Sequence, residues 1–302
     1  MPEVIEGLTT RQLTDPKLLA AIAKLELKSR RVVEGMRSGF HKSPYKGFSV
    51  EFAQHRSYVP GDEIKYLDWK VFAKTDRYVI KEYEEETELR AHFCLDISKS
   101  MTYSSHTQSK LDVGRLIIAS MAHLLIGQGD ASGLALMSEK IHTFLPARGG
   151  FRHYRFMLEE MVGAQPGKDT NMGEAFHEVA EKVKRRGLIV IISDCFDDVD
   201  RLLVSLSHFR HRRHDVILFH VLDRFELTFP FEDMTLFQGL EPATPVLTEP
   251  WQVRQAYLEE MESFLTKLKK GCQDRVIDYV QILTDEPLDL ALSRYLMSRK
   301  TR

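Results

Sequence analysis

From residue 91 onward, short apolar runs alternate with stretches of helical period. HFCLDIS (92–98) is an apolar strand that closes on carboxylate and hydroxyl groups. LDVGRLIIASMAHLLIGQG (111–129) places Val113, Ile117, Met121 and Leu124 on one helical face and stops at glycine. SGLALMS (132–138) and IHTFLPA (141–147) resemble a pair of strands. Residues 152–164 and 173–187 predict helices, the second closing on basic residues and Gly187. LIVIISD (188–194) is a continuous β-branched run, as expected of a strand covered on both faces. A helix over 198–214, a buried strand over 215–223, a longer connection over 224–249, a helix over 251–271, a strand over 278–284 and a closing helix over 288–299 complete the series. This alternation predicts an α/β domain over 91–302 with a doubly wound, mostly parallel, Rossmann-like sheet.

The first ninety residues have a different texture. Residues 1–39 form an N-terminal helical segment, with one helix expected from Pro16 to about Gly39. Leu18, Leu19, Ile22 and Leu25 give it a broken apolar stripe opposite Lys24, Lys28, Arg30 and Arg31, with Thr14 or Asp15 as cap. Residues 40–90 are dense in aromatics, Gly, Pro and charges. FSVEF (48–52) and RYVIKEYEEE (77–86) alternate like strands, and VPGD (59–62) is a turn signal. A small β-rich module is expected there.

Composition narrows the function classes. The 302 residues are 43 % hydrophobic and 28 % charged, which excludes a disordered chain or a small disulfide scaffold. With 42 Lys and Arg against 44 Asp and Glu the net charge is −2, so nucleic acid is not an expected partner. Cys94, Cys195 and Cys272 are isolated, as reduced thiols of a cytoplasmic protein would be. No run approaches the ~18 unbroken apolar residues of a membrane span.

Chemistry concentrates at the strand ends, where open α/β sheets bind ligands. Asp96, Ser98 and Ser100 alternate along near-extended chain, so they point to one side. One carboxylate and two hydroxyls are hard oxygen donors, suited to Mg²⁺ or Mn²⁺ and not to zinc. Thr170 precedes a helix and Asp194 closes the 188–194 strand, each on a loop that this topology sends to the same rim.

This DxSxS, Thr, Asp set resembles the metal-ion-dependent adhesion site of von Willebrand factor A domains. The resemblance implies that Ser98, Ser100 and Thr170 reach the metal while Asp96 and Asp194 hold it directly or through water. Upstream, Gly47, RSYVPGD (56–62), DWK (68–70) and KEYE (81–84) are similar to the signature of bacterial domain-of-unknown-function-58 proteins, which join a short N-terminal module to a von Willebrand A-like domain. Together the motifs cover roughly residues 30–225. The family is associated with MoxR-type AAA+ ATPases and has no established catalytic activity. The resemblance therefore implies a non-enzymatic, metal-dependent protein-binding module acting with such an ATPase on a client protein. Cys195 stands where many A domains carry glycine after the last metal aspartate.

A haloacid-dehalogenase-type phosphatase needs a second carboxylate two residues after Asp96, and Ser98 cannot donate and recover a proton there. No nucleophile elbow surrounds Ser98 or Ser100. A hydrolase using the same cation, with Asp96 or Asp194 as base, and a structural domain with a vestigial motif stand as alternatives. Ser98 or Ser100 as a cap of the next helix is the plainest structural reading. The basic run His208–His214 is expected to offset a helix dipole. Trp69, between Asp68 and Lys70, is expected to dock with a charge pair and hold the small module against the larger domain.

Overall fold

Leu188–Ile192 are buried along their whole length in the computed structural model, which describes residues 50–58, 67–85, 89–167, 172–233, 235–237, 246–288, 291–292 and 295. The expected helix over 16–39, the 59–62 turn, Thr170 and most of the closing helix lie outside the described residues. The chain divides into two compact units, Glu34–Glu88 and a larger one holding Leu89–Arg302.

In the smaller unit, β1 (Val50–Ser57) pairs antiparallel with β2 (Val79–Glu85), with a bulge between Phe52 and Gln54. Between them lies α1 (Trp69–Thr75), a helix the aromatic-rich texture had concealed. Asp68 caps it, its carboxylate accepting from the N–H groups of Lys70 at 3.0 Å and Val71 at 3.2 Å. Trp69, at the first helical position, is 57 % exposed and meets the edge of Phe72. Phe72 also stacks on Tyr78 at 4.5 Å between centroids.

The larger unit runs β3 (Arg90–Asp96), α2 (Lys110–Gly127), β4 (Ala131–Met137), β5 (Ile141–Arg148), α3 (Phe151–Gly163), α4 (Met172–Lys182), β6 (Leu188–Ser193), α5 (Val199–His211), β7 (Asp215–Leu222), α6 (Arg224–Thr228), β8 (Thr235–Phe237), β9 (Val246–Thr248), α7 (Pro250–Asp274) and β10 (Asp278–Leu283). Six strands make one sheet in the order β10-β7-β6-β3-β4-β5, parallel throughout except β5, which runs antiparallel to β4. The doubly wound, mostly parallel architecture is thus the one expected. Successive strand residues face opposite sides. Cys94, Ile189, Ile191, Val216 and Leu218 therefore pack with Phe176, Leu206, Phe209 and Leu268 from α4, α5 and α7. Leu95 and Ile192 turn the other way, under α2, where a Cβ on Gly114 would meet Leu95 Cδ1 at 2.8 Å. Glycine at 114 lets α2 lie close against the sheet.

Two boundaries differ from the sequence pattern. The 173–187 helix ends at Lys182, and Gly187 serves a close approach, since a Cβ there would lie 2.3 Å from the Arg90 carbonyl. The 224–249 connection contains α6 and the β8–β9 ribbon. No helix among the described residues is long and apolar enough to cross a membrane.

Candidate functional site

Chain order makes a crevice between β3 and β6. From β3 the chain passes through α2 to β4 on one side; from β6 it passes through α5 to β7 on the other. The connections diverge there, which leaves the carboxyl ends of β3 and β6 uncovered and is where such sheets bind ligands. Asp96 ends β3, and Ser193 ends β6 with Asp194 next.

Asp96 is fully buried and is held by neutral donors. Its Oδ1 accepts the Ser98 N–H at 2.8 Å and its Oδ2 the Ser193 hydroxyl at 2.7 Å. Burial, together with repulsion from Asp194, pushes its pKa up to about 7 against the pull of those hydrogen bonds. Ser98 is buried and Ser100 half-buried, their Oγ atoms 2.9 Å apart. Ser100 opens a short 3₁₀ turn, Ser100–Thr102, while α2 is capped by Ser109 in a capping box with Asp112. Neither candidate serine is the cap of that helix.

Asp194 meets a cation of the protein's own. The capping box fixes Lys110 as the first residue of α2. From there its Nζ reaches Asp194 Oδ2 at 2.7 Å and Glu226 Oε1 at 2.5 Å, with no exposed surface on the lysine side chain. Burial alone would lower the lysine pKa, but the two carboxylates outweigh it and hold the ammonium above its ordinary value. Burial pushes the Glu226 carboxyl up, and Lys110 offsets part of that. Asp194 Oδ1 accepts the Phe196 N–H at 3.3 Å. Behind it, His220 Nε2 lies 2.8 Å from the Asp194 carbonyl and Nδ1 2.7 Å from the Tyr279 hydroxyl. A carbonyl can only accept, so Nε2 carries the proton and Nδ1 accepts from tyrosine. Burial pulls the His220 pKa down to about 4, in keeping with this neutral form.

Cys195 has φ 55°, the left-handed region that favours glycine, which accounts for the glycine that many A domains carry here. Its thiol is buried and pushed well above the usual range by burial. Thr170 lies outside the described residues, and the described residues on either side of it are Gly167 and Met172. Gly167 donates its N–H to the Ile97 carbonyl at 2.8 Å, and Met172 donates to Asp197 Oδ2 at 3.1 Å.

The donor set fits a hard divalent cation. Mg²⁺–oxygen bonds of about 2.0–2.1 Å put neighbouring octahedral ligands about 2.9 Å apart, the spacing of the two serine oxygens. Asp96 is a buried carboxylate with no cationic partner among the described residues, the kind of group a metal charge compensates. No group of three or more His, Cys, Asp or Glu among the described residues is arranged to hold a metal, so a cation here would depend on the hydroxyls.

The structure brings Asp96, Ser98, Ser100 and Asp194 to one rim. It adds Ser193, Lys110 and Glu226, and Asp223, which binds the Ser105 hydroxyl at 2.5 Å and the Thr284 hydroxyl at 2.9 Å. The S-x-x-D box at 109–112 is the sequence signal that would have found Lys110 at a helix start. No local pattern announces its two partners.

Comparison with known proteins gives a family. The sequence profile of a family described as "Protein of unknown function DUF58" matches residues 54–263. An uncharacterized protein of Mycobacterium tuberculosis, Rv1480, is 29 % identical over 245 residues, which are 80 % of this chain and 75 % of that one. Among solved structures, the conserved hypothetical protein BatB from Bacteroides thetaiotaomicron matches with TM-score 0.48 at 16 % identity, over 71 % of this chain and all of that one. The SpRpn10 VWA domain matches with TM-score 0.39 at 10 % identity, over 68 % of this chain and 94 % of its own.

Proposed function

The chain belongs to the DUF58 family, whose function is unknown, and on that premise we propose that it is a protein-binding module that captures an acidic side chain of its partner through a divalent cation held by Asp96, Ser98, Ser100, Thr170 and Asp194. The observation that carries this reading is the pair of hydrogen-bonded serine hydroxyls, 2.9 Å apart, beside a buried carboxylate whose donors among the described residues are neutral. Serine and threonine hydroxyls are neutral ligands, so Mg²⁺ or Mn²⁺ held mainly by them keeps much of its charge and attracts an outside carboxylate. Asp96 and Ser98 form the buried floor, while Ser100 is half-buried at the mouth, the side from which a partner would approach. By resemblance, the partner is a MoxR-type AAA+ ATPase and the pair acts on a client protein, without bond-making chemistry by this chain.

The test is capture of the purified ATPase by the immobilised chain. Binding is expected in Mg²⁺, lost in EDTA, and lost in Asp96→Ala and Ser98→Ala variants whose circular dichroism matches the parent. Full retention of capture in EDTA, or in either folded variant, would refute the cation-bridged reading.

A further inference from the structure

A docking cation is useful only if one coordination position stays free, and Lys110 bears on how that position is kept. Lys110 has no exposed surface, so its ammonium cannot itself receive an outside carboxylate. It engages one Asp194 oxygen at 2.7 Å, and the Phe196 N–H engages the other at 3.3 Å. The lysine is pinned in turn by Glu226 at 2.5 Å, and the Phe196 ring centroid lies 4.7 Å from Nζ. Glu226 is itself held, its Oε2 accepting the Asp223 N–H at 2.8 Å. Asp194 thus meets a cation of the protein's own, whereas the donors to Asp96 among the described residues are neutral. Formal charges on Asp96, Asp194, Glu226 and Lys110 leave two negatives, which one divalent ion offsets.

Resting on the function proposed above, we infer that Lys110 is a positioning residue that withholds Asp194 from direct coordination, so that Asp194 acts through water and a ligand position remains for the partner's carboxylate. Removing the ammonium frees Asp194 to enter the inner shell. Cation affinity then rises while the open position is lost, a combination that a merely structural lysine would not produce.

Mn²⁺ is the probe. Electron paramagnetic resonance of free Mn²⁺ gives its Kd, and water-proton relaxation gives the number of waters on the bound ion. Lys110→Met is measured with Lys110→Met/Glu226→Gln, because the lone substitution leaves two buried carboxylates uncompensated. Lys110→Met, where it folds, is expected to bind Mn²⁺ roughly tenfold or more tightly, from the loss of a nearby like charge, and both lysine variants are expected to show one bound water fewer. Asp194→Asn is expected to leave the water number of the parent unchanged.

An unchanged number of bound waters in the folded lysine variants overturns the role of Lys110 and leaves the cation reading standing. A gain of one water in Asp194→Asn overturns it independently, since Asp194 would then have been a direct ligand. Absence of Mn²⁺ binding by parent and variants alike overturns both readings. Binding by the variant alone supports Lys110 as the internal competitor.

Discussion

The two edges of the six-stranded sheet handle charge in opposite ways. At the carboxyl edge, Asp96, Asp194 and Lys110 are buried, and Lys110 is paired with Asp194 and Glu226. At the amino edge, where β5 ends and α3 begins, Arg148, Arg152 and Arg155 line an open cleft with His153, Phe156 and Glu159. These arginines are exposed, and among the described residues only Arg155 has a carboxylate within ion-pair distance, Glu159 at 3.8 Å. Two histidines buried near that edge, His92 and His214, have pKa values pulled down, chiefly by burial, and so stay neutral near neutral pH. Charge taken out of water demands specific partners; charge left in water does not. That is why the crowded carboxyl edge reads as the site and the arginine cleft does not.

The contrast can be broken most forcefully at Lys110. Lys110→Met is expected to lower unfolding free energy in metal-free buffer by about 3–5 kcal/mol, because Asp194 and Glu226 lose their counter-charge. Urea denaturation measures this, and a loss below about 1 kcal/mol would mean that the buried pair contributes no more than a surface one.

Next in size is the acid response of the amino edge. His92 has its pKa pulled down to about 4, first by burial and then by His214 and Arg90. Between pH 4 and about 6.5 the unfolded chain binds the proton that the folded chain refuses, so stability falls as pH drops through that window. The loss attributable to His92 is about 3 kcal/mol by pH 4, with none above pH 7. Thermal unfolding against pH should show a flatter acid limb in His92→Leu, and an unchanged limb would remove His92 as its cause.

Ser109→Ala removes the cap that starts α2 beneath Lys110, and about 1 kcal/mol is expected to go with it. Arg152→Ala, at the solvated edge, is expected to shift stability by less than about 0.5 kcal/mol. A larger loss in calorimetry would show that the cleft arginines support the fold and would narrow the difference between the two edges.

Much of the fold was legible in the sequence because its periods are local. The β6 run, the DxSxS strand end and the helical spacing after residue 111 each lie within one element, and the structure places strands or helices there. Helix α1 is hidden in the sequence because its seven residues are too few to display a period, and its capping residue Asp68, beside Trp69 and Lys70, also suits a charge pair. The β8–β9 ribbon escaped for the same reason, with three residues in each strand.

Four of the five candidate ligands, Asp96, Ser98, Ser100 and Asp194, stand on one rim; Thr170 lies outside the described residues. Lys110 was passed over because its meaning lies in Asp194 and Glu226, 84 and 116 residues away.

The sequence alone thus determined the alternation of elements and the oxygen donors at the ends of β3 and β6, since hydrophobic period and capping act over a few residues. Only the tertiary structure decided that β6 lies beside β3 and that a lysine buried at the start of α2 holds one of the two aspartates. Strand order, not spacing along the chain, sets which distant charges share a low-dielectric interior, and charges there must be compensated where the fold brings them together.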